Sequence, residues 1–174
     1  MRFADIGEIL TLLQRQNAYT SSLVTAHISE EAMTSFVDYW FDNAMGEDAP
    51  NWWAQMDVYG DPNSGVVATP NWATSYVHRD KLWLWQLSAV FDDVADDTQP
   101  GIDFLNGLMD SIKNPMAAGD WGRYANYIDS ELERNAALNQ YYGGHLERLR
   151  GIKTNLDPDD LFHNPQSVPS WQRS

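Results

Sequence analysis

The stretch NWWAQMDVYG, Asn51 to Gly60, decides how this chain is read. Trp52, Ala54, Met56 and Val58 fall on one side and Trp53, Gln55, Asp57 and Tyr59 on the other, the period of two expected of a β-strand. The first side is wholly apolar; the second mixes aromatic rings with an amide and a carboxylate. GDPNSG, directly after, is turn chemistry. KLWLWQLSAVF, Lys81 to Phe91, is a second aromatic strand carrying one polar residue, Gln86. Ala18–Thr25 reads as a shorter strand and Asp120–Asp129, DWGRYANYID, as another.

Helical periods lie between these strands. Ser29 caps a helix over Ser29–Met45, with Glu30 and Glu31 in its first turn and Met33, Phe36, Val37, Trp40 and Phe41 as its buried face. Pro100 opens a helix whose buried positions are Ile102, Leu105, Leu108, Met109 and Ile112. Ile6, Ile9, Leu10 and Leu13 form a stripe near the start, and the end is mostly helical up to Asp157-Pro158. No βαβ rhythm occurs. The expected class is α+β, an antiparallel sheet with helices packed on one face, in a single domain over residues 1–174.

Composition narrows the partners. A net charge of −14 over 174 residues disfavours nucleic acid and anionic membrane surfaces, which repel an acidic chain. No apolar run reaches membrane-spanning length. Asp5 and Glu8 interrupt the segment that an export signal would need to keep apolar, so the cytoplasm is expected. With no cysteine, disulfides, thiolate metal sites and a cysteinyl cofactor link are excluded. Eight Trp, eight Tyr and six Phe can fill a core or line a pocket for a flat organic molecule.

General motifs contribute little: GxGxxG, P-loop, HExxH and GxSxG are all missing. The histidines have no metal-ligand spacing, so no metal is expected, and DDVADD at Asp92–Asp97 reads as a solvated acidic loop. Gln55 and Asp57 project on one face about 7 Å apart. They form either an ordinary wet sheet surface or a polar patch in an aromatic pocket, where a carboxylate can act as a base or tune a neighbouring tyrosine. Tyr124, Asn126 and Tyr127 pose the same alternative. His78 and Arg79 read as a strand end, with Arg79 paired to Asp80.

The closing stretch, YYGG…RL…IK…LDPDDLFHNPQSV, resembles the C-terminal signature of the berberine-bridge-enzyme-like FAD-linked oxidases. Tyr141, Tyr142, Gly143, Arg148, Leu149, Lys153, Asp157, Pro158, Phe162, Gln166 and Ser167 follow its order, and His145 stands where asparagine is usual. The resemblance implies a partial substrate-domain sheet over 19–129 and a berberine-bridge-like segment over 130–169. Asn126-Tyr127-Ile128-Asp129 resembles the family's Asn-Tyr-x-Asp motif, which implies that Tyr127 accepts a proton from a substrate hydroxyl. Gln55-Met56-Asp57 is similar to a Gln-x-Asp strand of sugar-oxidising members, with Asp57 assisting the tyrosine. Gln86 matches a pocket glutamine; Leu84 stands where plant members commonly carry lysine. Trp53, Tyr59, Trp83, Trp85, Tyr124, Asn126 and His78 are the further candidates for substrate contact.

The family's FAD-binding motifs have no counterpart in these residues. The leading expectation is therefore a flavin-independent enzyme promoting cyclisation, isomerisation or cycloaddition of a polyketide-, terpenoid- or alkaloid-like metabolite, working as a homodimer. FAD would enter only with a partner module. That alternative is the substrate-side half of a split FAD-dependent oxidoreductase, and a second alternative is a non-catalytic binding or dimerisation partner.

Overall fold

The computed structural model describes residues 17–46, 49–92 and 97–171. The stripe from Ile6 to Leu13 and most of the acidic loop at Asp92–Asp97 lie outside these. Four strands form one antiparallel sheet in the order β2-β3-β1-β4: β1 is Asn17–Thr25, β2 Trp52–Val58, β3 Trp83–Phe91 and β4 Trp121–Gly122. The helices are α1 (Glu30–Asn43), the single turn α2 (Gly65–Ala68), α3 (Gln99–Lys113), α4 (Arg134–Tyr142) and α5 (Leu146–Leu156). The α+β class expected from the alternating patterns is the class found.

The core lies between α3 and one face of the sheet. Leu23, Trp85, Leu87 and Ala89 meet Ile102, Phe104, Leu105, Leu108, Met109 and Ile112, all buried. Each fully buried aliphatic side chain contributes about 1.5–3 kcal/mol of transfer free energy, so α3 and the middle of the sheet hold the fold. The five positions expected to be the inward face of α3 are all in this core.

α1 departs from expectation. Ser29 does cap it, accepting from the Ala32 amide at 3.1 Å. Its inward face, however, is centred on Ala32, Phe36 and Tyr39, while Met33, Trp40 and Phe41 are exposed. The helix crosses the sheet at its β2 edge, where Phe36 meets Trp85 and Trp40 meets Trp52 edge-on. That placement uses a narrow stripe of α1 and leaves the neighbouring apolar positions in water.

The segment Asp120–Asp129 is not a full strand. Only Trp121 and Gly122 pair, with Thr25 and Val24; a turn then begins, closed by the Tyr127 amide on the Tyr124 carbonyl at 3.0 Å. Gly122 is required here. A Cβ on it would lie 2.1 Å from His78 Cε1.

Candidate functional site

Strand pairing brings the predicted polar residues into one row on the sheet face away from α3. Gln55 on β2 stands opposite Gln86 on β3, and Gln86 opposite Ser22 on β1. Asp57 and Trp53 flank Gln55 on the same face, paired with Leu84 and Ser88. The Gln55 amide donates to both oxygens of Asp57, at 3.2 and 3.0 Å. Gln55 is exposed, Asp57 half-buried, and Trp53 presents 40% of its surface to solvent. The row is therefore accessible, with its two acceptor groups already oriented by one amide.

Ser22 carries the row to the 124–127 turn. Its hydroxyl accepts from the Tyr124 amide at 2.9 Å and lies 3.3 and 3.4 Å from the Tyr124 and Tyr127 carbonyls. Tyr124 and Tyr127 meet edge-on, with ring centres 5.3 Å apart, and Asn126 donates to the Tyr124 hydroxyl at 2.8 Å. The turn is anchored at both ends from the opposite side of the sheet. Arg123 and Asp129 form an ion pair at 2.5 Å, each almost fully buried. Asp129 also accepts from Tyr19 at 2.9 Å and Ser21 at 2.7 Å, and Arg123 donates to the Gln140 side chain at 2.9 Å. Alternation along the chain directs Arg123 under the sheet and Tyr124 above it; Asp129 closes the loop beneath.

Beside the row is a cavity of about 490 Å³, lined by Tyr59, Tyr76, Arg79, Leu84, Tyr124 and Tyr142 among others. Burial, and the charges of neighbouring groups, hold the Tyr59 phenol well above its ordinary pKa. His78 is fixed against the Gln140 carbonyl at 2.8 Å, and burial lowers its pKa. Arg79 does not pair with Asp80. It donates to the Val66 carbonyl at 3.0 Å and to Thr74 Oγ1 at 2.6 Å, while Lys81 takes Asp80 at 2.5 Å.

Trp83 and Trp85 do not join this face. They occupy the positions of β3 that alternate with Gln86, so both point toward the helices. Trp85 is buried and donates to Thr25 Oγ1 at 3.3 Å. Conversely, Arg123 and Asp129 hold the site in place and were not singled out as such from sequence. The only signal was the opposite charges of Arg123 and Asp129 either side of the Tyr124–Tyr127 turn, and nothing local marks a buried ion pair. Among the described residues, no three His, Asp or Glu side chains cluster as a metal site.

Comparison with known proteins bears on the same residues. The family described as "Berberine and berberine like" matches residues 123–169. A glucooligosaccharide oxidase from Sarocladium strictum is 39% identical over 154 residues, covering 86% of this chain and 31% of that enzyme. A carbohydrate oxidase from Microdochium nivale is 39% identical over 164 residues, covering 94% of this chain and 33% of the relative. In three dimensions a chitooligosaccharide oxidase superposes with a TM-score of 0.82 at 35% identity, over 90% of this chain and 33% of the other. This chain corresponds to the C-terminal portion of the berberine-bridge-like FAD-linked oxidases. It spans about a third of the length of the curated relatives it matches.

The berberine-bridge-like signature turns out to be bracing. The Tyr141 hydroxyl accepts from the Asp129 amide at 3.0 Å and donates to Gln166 Oε1 at 3.1 Å; Gln166 in turn donates to the Asp129 and Leu132 carbonyls at 2.6 and 2.9 Å. Lys153 reaches Asp157 at 2.5 Å, Asp160 at 2.9 Å and the Phe162 carbonyl at 2.6 Å. Hydrogen bonds from Lys153 and from the Leu161 and Phe162 amides hold Asp157 at a pKa of about 2. Arg134 ties the Ser167 carbonyl to α4 at 2.7 Å. These residues hold the tail against the turn that carries Tyr127.

The sequence supplies no cysteinyl attachment for a flavin. It has no cysteine, whereas a related glucooligosaccharide oxidase from Acremonium strictum holds a 6-S-cysteinyl, 8α-N1-histidyl FAD. Gly101 sits in the first turn of α3, yet its Cα faces Phe91 and Ala89, where a Cβ would come within 2.8 Å of the Phe91 ring. That glycine serves packing, not phosphate approach.

Proposed function

We propose that this chain forms the saccharide-binding wall of an FAD-linked oligosaccharide oxidase, the flavin being held by residues other than those described. The observation that carries this reading is the aligned row of Trp53, Gln55, Asp57 and Gln86 on one open sheet face. Amides and a carboxylate supply paired donors and acceptors to sugar hydroxyls, and an indole face suits the apolar face of a pyranose ring. The kinship to enzymes named for glucose-, chitin- and xylose-based oligosaccharides supports the same ligand class.

Within this site the chain's own groups bind, orient and move protons. Gln55 and Gln86 fix ring hydroxyls, and the Gln55 amide keeps the Asp57 carboxylate oriented. Tyr127, on its braced turn, takes the proton from the hydroxyl being oxidised, with Asp57 assisting. No side chain here can accept a hydride, so the two-electron step is not assigned to this chain.

The flavin-independent cyclisation, isomerisation or cycloaddition expected from sequence has less support. Positioning a polyene requires a site that excludes water, and this row is open. The edge of β2, without a strand partner among the described residues, is where a flavin-bearing module or a second copy would extend the sheet.

Titration of the protein with cellobiose, chitobiose and xylobiose, read by Trp53 side-chain NMR signals, tests the reading. Saturable shifts that vanish in Gln55→Ala support it. Shifts produced only by apolar aromatic compounds, or none with any saccharide, overturn it.

A further inference from the structure

We propose that the tyrosine-lined cavity beside the row is a second binding site, taking a small carboxylate carried on a six-membered ring. Three donors on the residues that line the cavity have no partner. The hydroxyls of Tyr59 and Tyr76 and the Nε of Arg79 are buried, and none of the three has a hydrogen-bond partner. Buried polar atoms are nearly always satisfied, so three on residues sharing one cavity mark missing acceptors. A single water can serve two of them; a cavity of about 490 Å³ holds far more than one.

The charge balance specifies an anion. Among the described residues no carboxylate forms an ion pair with Arg79, whose other nitrogens meet the neutral Val66 carbonyl and Thr74 hydroxyl. Asp80, the adjacent acid, is occupied by Lys81. In a chain of net charge −14, a guanidinium left with neutral partners is a specific attractor for an acidic group. The raised pKa of Tyr59 keeps its hydroxyl a donor through the physiological range.

The walls specify a ring. Tyr76 stands edge-on to Tyr124 at 5.8 Å and tilted to Tyr59 at 6.2 Å, and Arg79 lies 5.7 Å over the Tyr76 ring. These rings and Leu84 surround the space with faces and edges that suit either an aromatic ring or the apolar face of a pyranose. A benzoate-type acid and a hexuronate share this chemistry. The inference does not rest on the oxidase reading, because none of the three unpartnered donors belongs to the Gln55–Gln86 row.

Calorimetric titration of the whole chain with benzoate and glucuronate, set beside neutral benzamide and glucose, tests it. The expected result is one-to-one binding of at least one acid, about tenfold tighter than its neutral counterpart. Benzoate alone assigns an aromatic acid, glucuronate alone a uronate; either supports the site. Arg79→Gln is expected to weaken binding about tenfold and Tyr59→Phe about threefold. Since Arg79 also braces the α2 turn at Val66, the isosteric Tyr59→Phe and the acid-against-neutral comparison decide if Arg79→Gln does not fold. Equal binding of acid and neutral ligand, no binding of either acid, or unchanged affinity in Tyr59→Phe overturns the proposal.

Discussion

Tyr19, near the start of β1, donates its hydroxyl to Asp129 Oδ1 over 2.9 Å, joining residues 110 positions apart. Asp129 closes the turn that presents Tyr127, so this bond links the central sheet directly to the candidate catalytic tyrosine. It sits inside a buried network in which Asp129 also meets Arg123, Ser21 and the amide of Glu131. Removing one charge from such a network leaves the other without compensation.

Asp129→Asn is therefore expected to destabilise the fold by about 3–5 kcal/mol, because Arg123 stays buried and charged. Urea denaturation followed by tryptophan fluorescence measures this. A loss below about 1 kcal/mol would mean that water or the Gln140 side chain already satisfies Arg123.

Tyr127→Phe tests the opposite kind of residue. Its ring is half-buried, and its place on the turn is held by backbone contacts to Ser22 rather than by its hydroxyl. With the flavin-bearing part present, saccharide oxidation is expected to fall by about 10²–10⁴ in kcat with the melting temperature unchanged. Asp57→Asn is expected to lower kcat less and to raise KM, because its carboxylate also accepts from sugar hydroxyls. Undiminished turnover in both variants removes them from the mechanism.

Gly122→Ala probes the packing under His78. The added methyl occupies the imidazole's space, so a loss of about 1–3 kcal/mol is expected in chemical denaturation.

Acid sensitivity follows from Asp157 and His78. Asp157 has a folded pKa of about 2, below its ordinary 3.8, so its contribution is full above that ordinary value and is lost as pH falls through about 2. His78 is also lowered, by burial, so the folded state resists its protonation and stability declines as pH falls below the ordinary 6.5. Melting temperature measured against pH is expected to show two descending limbs. Lys153→Met is expected to abolish the lower one and leave the His78 limb in place.

Added FAD gives a further check. Since the proposed function places the flavin on residues other than those described, FAD is expected to wash out completely on desalting, leaving a protein without visible absorbance. Retained flavin would place the cofactor against this chain after all.

The sequence by itself determined the local pattern. Period-two alternation in Asn51–Gly60 and Lys81–Phe91 set which residues share a face, and 3.6-residue spacing marked Ile102 to Ile112 as core, because side-chain direction follows backbone geometry residue by residue. The ordered signature from Tyr141 to Ser167 likewise carried the family. Tertiary structure alone decided the rest. It set the register that puts Gln55 across from Gln86 and sends Trp85 to the helices, and the edge crossing that exposes Met33, Trp40 and Phe41 of α1. It also cut short the strand expected over Asp120–Asp129, folding it into a turn clasped by Arg123 and Asp129. These outcomes depend on contacts across tens of residues, where burial and charge compensation act between segments that no local window contains.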